Sequence, residues 1–114
     1  MNEQPLRALI LIHLTADIPR IIKKMKSQTV KIGKSVVFEC MASGSPPPTF
    51  VWLKDNKKIN KTARFLSTTA GQLCLIVRVE EKHAGKYTCR VSNNLGHEEQ
   101  TAYLKVIEGK FFIA

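Results

Sequence analysis

Two cysteines and a tryptophan place the strongest constraint on how this chain can fold. Cys40 and Cys89 are 49 positions apart, Trp52 is the only tryptophan and lies between them, and Tyr87 precedes the second cysteine by two residues. Around these residues, short segments alternate apolar and polar side chains, which is typical of half-buried strands. Glycine, proline and asparagine separate the segments. The pattern predicts an all-β domain in which two sheets pack around one core.

The alternation also assigns a face to several side chains. Val36, Phe38 and Cys40 share one face of their strand and are expected to point inward, as is Trp52. Asn93 and Gly96 bound a predicted hairpin, and three consecutive prolines at 46–48 stiffen a loop. The predicted strands begin at Ile21 and continue at 29–32, 35–41, 50–53, 64–66, 73–79, 86–92 and 102–107.

The motifs resemble those of the intermediate set (I-set) of immunoglobulin domains. The resemblance is carried by Gly33-Lys34-Ser35, Trp52-Leu53-Lys54 and Ala84-Gly85-Lys86-Tyr87-Thr88-Cys89, and it covers about residues 19–108. It implies an immunoglobulin-like β-sandwich with a Cys40–Cys89 disulfide between the sheets, Trp52 packed against it and Tyr87 in a tyrosine corner. Residues 1–18 are then a leader or unstructured extension, and residues 109–114 a C-terminal tail.

Cys74 is the odd cysteine in this arrangement. It occupies a strand position where the family usually has an aliphatic residue, and alternation points it inward with Ile76. We expect a buried free thiol rather than a reactive or intermolecular one. A disulfide implies an extracellular, oxidising compartment, although cytosolic muscle modules of the same set keep such cysteines reduced.

His83 departs from the family pattern. The immunoglobulin motif has an aspartate here that usually pairs with an arginine on the strand predicted at 64–66, so Arg64 is expected to lose its partner. We expect His83 to be an exposed residue that the fold tolerates.

An apolar run at 8–16 follows Arg7. It is too short to span a membrane, and three interpretations remain: a secretory signal, an amphipathic leader, or a remnant of an erroneous gene model. No other stretch could cross a bilayer, so we expect no direct membrane insertion of the domain.

Charge points to the class of ligand. The net charge is +9, and residues 20–64 contain eleven basic side chains against only two acidic ones, Glu39 and Asp55. Such an imbalance favours polyanions, namely sulfated glycosaminoglycans, acidic membrane surfaces or nucleic acid, although a basic face can also serve only solubility. Two clusters qualify. The first is Arg20, Lys23, Lys24, Lys26, Lys31 and Lys34; the second is Lys54, Lys57, Lys58, Lys61 and Arg64.

The run Lys24-Met25-Lys26-Ser27-Gln28, together with the lysine-rich stretch after Trp52, is similar to the immunoglobulin domain of neuregulins. Fibroblast growth factor receptor ectodomains show a weaker similarity. Both resemblances imply binding of heparin or heparan sulfate, and neither implies nucleic acid. Asn60-Lys61-Thr62 is a glycosylation sequon inside the second cluster, where a glycan on Asn60 would hinder a polyanion. We therefore assign the site to Lys23, Lys24, Lys26, Lys31 and Lys34, with Lys54, Lys57, Lys58, Lys61 and Arg64 as the alternative.

Catalysis, metal binding and cofactors find no support in the sequence. His13, His83 and His97 lack the paired cysteine or carboxylate spacing of a zinc site, and no glycine-rich phosphate loop is present. Two functions stay open. The chain is an extracellular heparan sulfate-binding module of a growth factor or receptor, or it is a structural or adhesion spacer whose protein partner uses a sheet face or edge. A cytoplasmic cytoskeletal module is the structural variant.

Overall fold

Strand pairing divides the chain into two packed sheets. The computed structural model describes residues 16–60 and 63–108. Within them the strands are β1 Asp17–Lys23, β2 Gln28–Lys31, β3 Val36–Ser45, β4 Thr49–Lys54, β5 Lys57–Lys58, β6 Arg64–Ser67, β7 Gly71–Ile76, β8 Gly85–Asn93 and β9 Gly96–Ile107. A single 3₁₀ turn, Glu81–His83, precedes β8.

One sheet has the order β1-β3-β7-β6 and the other the order β2-β9-β8-β4-β5. The β2–β9 pair is parallel and the other pairs are antiparallel. The chain therefore leaves the first sheet after Lys23 and joins the second at Gln28. The predicted all-β, immunoglobulin-like sandwich is confirmed.

The core lies where the inward faces of the two sheets meet at the disulfide. Cys40 of β3 is bonded to Cys89 of β8, with their Cα atoms 6.5 Å apart. Trp52 lies opposite Cys89 in the β4–β8 register, and its indole Nε1 donates a 2.9 Å hydrogen bond to Oε1 of Gln72 in the other sheet. Trp52 also stacks on Phe65, with ring centroids 6.2 Å apart. The tryptophan thus joins the sheets both by packing and by a satisfied polar contact.

Cys74 lies in the same core, as predicted from strand alternation. It is fully buried beside Phe38 in the β3–β7 register, and burial raises the pKa of its thiol to about 12. The thiol is therefore protonated at physiological pH and behaves as a small apolar core residue.

Several strands differ in length from those predicted. β9 begins at Gly96 rather than at residue 102. Its polar first half pairs with β8 without a break, and the first pair is Gly96 opposite Asn93. The Arg90 guanidinium Nε donates to Glu99 at 2.7 Å across this pair, so charged side chains support a ladder that alternation did not reveal. β7 ends at Ile76, soon before Arg78 adopts a positive φ of 62°.

The 3₁₀ turn anchors the tyrosine corner. Tyr87, which is 1% exposed, donates its hydroxyl to the carbonyl of His83 at 2.6 Å. The expectation of an exposed His83 is wrong: the residue is only 7% exposed, and its Nδ1 accepts the backbone N–H of Glu80 at 2.8 Å. The imidazole therefore caps the turn, and burial lowers its pKa below the ordinary value of 6.5.

Removing the Tyr87 hydroxyl tests the corner. Tyr87→Phe leaves the buried His83 carbonyl without this donor, which should lower the free energy of unfolding by about 1–3 kcal/mol in urea titrations. Tyr103→Phe is the matched control, since Tyr103 is 58% exposed and its change should stay within about 0.5 kcal/mol. Equal stabilities for the two variants would contradict this assignment.

The buried imidazole predicts a dependence of stability on pH. Because the folded state holds the pKa of His83 below its unfolded value, the unfolded chain binds the proton first. The free energy of unfolding should therefore fall as the pH drops below about 6.5. His83→Asn should flatten this part of the curve, with His97→Asn at an exposed hairpin position as the matched control. If the free energy of unfolding depends on pH in the same way in His83→Asn, then a group other than His83 causes this dependence.

Candidate functional site

The crossing from β1 to β2 opens a notch at one edge of the sandwich. β1 pairs with β3 only from Met41 to Ser45, so the first part of β3 is not covered by a strand on that side. Gln28 reaches back from β2, and its Nε2 donates to the Val37 carbonyl at 2.7 Å. The notch has a volume of about 370 Å³ and is lined by Lys23, Lys24, Met25, Lys26, Ser27, Gln28, Val37, Phe38 and Glu39.

The lysines of the first cluster differ in how far their charge is already compensated. Lys23 lies 3.4 Å from the Glu39 carboxylate, so it is partly neutralised. Four exposed lysines lie in β2 or close to its ends, and we call them the lysine edge: Lys24, Lys26, Lys31 and Lys34. Across residues 16–60 and 63–108, none of these four side chains takes part in an ion pair.

The lysine edge follows one open strand. Lys24 and Lys26 lie just before β2, and Lys31 is its last residue. Lys34 follows in the next turn, where its backbone N–H donates to the Lys31 carbonyl at 3.1 Å. Because β2 is the outermost strand of its sheet, these charges line an edge of the sandwich rather than a flat face.

Acidic side chains near this edge are engaged in other contacts. Lys24 shares a shallow groove with Glu98 and Glu99. Glu99 pairs with Arg90, and Glu98 accepts the backbone N–H of Ile21. Arg20 is separated from the lysine edge, since it lies opposite Ser43 in the β1–β3 register.

The second cluster lies at the opposite edge, where β5 and β6 are the outermost strands. Lys54 donates to Oδ2 of Asp55 at 2.9 Å, and Oδ1 of Asp55 accepts the Lys86 backbone N–H at 2.9 Å. Both hydrogen bonds lower the pKa of Asp55, and the one from the Lys86 backbone has the larger effect. Gly85 makes the contact possible, because a Cβ there would lie 2.8 Å from the carboxylate.

The rest of the second cluster is dispersed. Lys57 and Lys58 are exposed on β5, whereas Arg64 belongs to β6 in the other sheet. Asn60 is exposed, and Lys61 lies outside the described residues, as does the rest of the sequon. Occupancy of the sequon stays a prediction.

Sequence reasoning identified the lysines but missed their acidic partners. Glu39 is sixteen positions from Lys23, and only the strand register brings the two together. The pairing of Lys54 with Asp55 could have been predicted, because the two residues are adjacent in the sequence. The hydrogen bond from the Lys86 backbone N–H to Asp55 depends instead on the β4–β8 pairing.

The chemistry available at these edges is ionic and hydrogen-bonding. Within the described part of the chain, no three histidine, cysteine or carboxylate side chains gather as metal ligands would. The same residues include no helix with the length and apolarity needed to cross a membrane.

Comparison with known proteins places this geometry in a family. A family model described as "Immunoglobulin I-set domain" matches residues 19–106. The chain is 41% identical over 91 residues to leucine-rich repeats and immunoglobulin-like domains protein 2 of Mus musculus, covering 80% of this chain and 9% of that protein. It is 33% identical over 95 residues to the limbic system-associated membrane protein of Gallus gallus, covering 82% and 28% of the two chains.

Among solved structures, the I-band fragment I67-I69 from titin superimposes with a TM-score of 0.76 at 29% identity. That match covers 80% of this chain and 33% of the titin fragment. The comparisons support an immunoglobulin module similar to those of membrane and structural proteins. The finer resemblance to neuregulins stays a prediction.

Proposed function

Since the chain belongs to the immunoglobulin I-set family, we propose that it is an extracellular binding module whose ligand is a sulfated polysaccharide such as heparan sulfate. The similarity to a membrane protein supports this location. Whole-protein functions of the relatives are not transferred, because the chain spans only 9% and 28% of the two described above.

The lysine edge is the observation that carries the proposal. Lys26 and Lys31 are five residues apart along an extended segment, which corresponds to about 16 Å. A linear polyanion lying along β2 could therefore contact lysines at both ends of the strand without any rearrangement of the sheets. Ammonium groups that take part in no ion pair within the described residues can pair with sulfates and release condensed counterions, and this release supplies much of the free energy of polyanion binding.

The opposite edge is a weaker candidate for two reasons. Asp55 already compensates Lys54 at 2.9 Å, and the other described residues of the second cluster are divided between two sheets, with Lys57 and Lys58 in one and Arg64 in the other. A glycan at exposed Asn60 would also occupy this edge.

A structural spacer is the second candidate function. The similarity to the titin I-band fragment favours it and is compatible with a cytoplasmic location. The two functions differ in redox state, because an extracellular module should carry the Cys40–Cys89 disulfide in native material, whereas a cytosolic module should be reduced.

Heparin affinity chromatography tests the assignment of the polyanion site. Substituting glutamine at Lys24, Lys26, Lys31 and Lys34 should lower the salt concentration at which the protein elutes. Each lost contact should reduce the magnitude of the slope of log affinity against log salt by somewhat less than one, by analogy with single-stranded nucleic acids. Stability should change by less than about 0.5 kcal/mol per exposed position.

The control variant carries glutamine at Lys54, Lys57, Lys58 and Lys61, which removes the same formal charge from the second cluster. It should elute close to the parent protein. Elution of the lysine-edge variant with the parent would refute the site, and a loss confined to the control variant would move the site to the second cluster.

A further inference from the structure

The outer face of the four-stranded sheet carries a continuous apolar surface. In the β3–β7 and β6–β7 registers, Val37 lies opposite Leu75, and Leu66 lies opposite Leu73. Alternation places all four outward, since their neighbours Phe38 and Cys74 are buried. Val77 follows the end of β7 and is also exposed. We call these five residues, Val37, Leu66, Leu73, Leu75 and Val77, the apolar face.

This surface is exposed rather than covered by other parts of the described chain. Val37, Leu66 and Val77 are between 42% and 53% exposed, and Leu73 and Leu75 are half-buried between neighbouring strands. Single exposed apolar residues are ordinary, whereas a contiguous group across three strands is typical of an interaction site.

Two arginines and one carboxylate border the apolar face. Arg64 lies next to Leu75 in the strand register, and Arg78 follows Val77. Glu39 lies beside Leu73 but is paired with Lys23 at 3.4 Å. Asp17 is opposite Ser45, six residues along β3 from Glu39, so it is about 20 Å away.

The apolar face is continuous with the basic notch, because Val37 and Glu39 line that notch together with Lys24 and Lys26. A ligand with negative charges and apolar side chains could therefore use both surfaces at once. A sulfated polysaccharide lacks apolar side chains and would leave the apolar face in water. A second copy of this chain carries a charge of +9 and would be repelled.

We infer that the apolar face, with Arg64 and the lysines of the notch beside it, binds an acidic protein partner that packs aliphatic or aromatic side chains against Val37 and Leu66. Charge complementarity brings the partner to the surface and orients it, and burial of the apolar side chains supplies most of the affinity. This interaction does not require the proposed polysaccharide binding.

Defined peptides test the inference by fluorescence anisotropy. The probes are three labelled octapeptides of alternating residues: glutamate–leucine, glutamate–serine and lysine–leucine. The parent should bind the glutamate–leucine peptide about tenfold more tightly than either of the others, because only that peptide satisfies both the charge and the apolar requirement.

Variants locate the binding surface. Val37→Thr/Leu66→Thr should reduce the preference for glutamate–leucine over glutamate–serine to less than about twofold. Tyr103→Thr/Ile107→Thr is the matched control, since it removes two exposed apolar side chains from the other sheet. All four positions are exposed on strands, so both variants should fold, which thermal unfolding verifies.

Equal binding of the glutamate–leucine and glutamate–serine peptides, or an unchanged preference in Val37→Thr/Leu66→Thr, would overturn the inference. Sedimentation velocity provides a further check. If the parent forms a dimer and Val37→Thr/Leu66→Thr abolishes it, then a second copy of the chain, and not an acidic partner, occupies the apolar face. Heparin elution is measured in parallel and should be unchanged in Leu66→Thr, because Leu66 does not line the basic notch. A parent that discriminates between the peptides but does not bind heparin would remove the proposed function and leave this inference standing.

Discussion

The bond between Cys40 and Cys89, together with Trp52 beside it, is the constraint on which the rest of this structure depends. It fixes the inward faces of both sheets, because one sulfur belongs to β3 and the other to β8. Once these faces are set, strand alternation determines which side chains of the strands point outward, including Lys31 and the apolar residues Val37, Leu66 and Leu75. The Trp52–Gln72 hydrogen bond ties the same two sheets without leaving a buried polar group unpaired.

The transfer of the chain from one sheet to the other determines where binding can occur. Because β1 stops pairing with β3 at Met41, a notch forms between the sheets and brings Lys24 and Lys26 beside Val37. The parallel pairing of β2 with β9 then presents Lys31 along an open strand edge. A sequence-local run of basic residues thereby becomes an edge whose four lysines take part in no ion pair among the described residues. At the opposite edge Lys54 is paired with Asp55, and Lys57 and Lys58 lie in a different sheet from Arg64.

The fold could be predicted from the sequence to a large extent, because few arrangements satisfy a cysteine pair, an intervening tryptophan and alternating segments at once. The inward positions of Cys74 and Ile76 followed from alternation alone. The burial of His83 did not, since it depends on a turn in which its imidazole accepts the Glu80 N–H. The pairing of Lys23 with Glu39 was equally hidden, because only the strand register brings them together.

The central claim is that sulfated polymers bind along β2, and mapping the bound surface in solution tests it most directly. Backbone amide spectra of isotopically labelled protein, titrated with a heparin oligosaccharide, should show the largest shifts at residues 23–34. Amides of β5 and β6 should move little, since they lie at the opposite edge. Largest shifts at residues 54–64, or shifts spread evenly over all basic surfaces, would contradict the account.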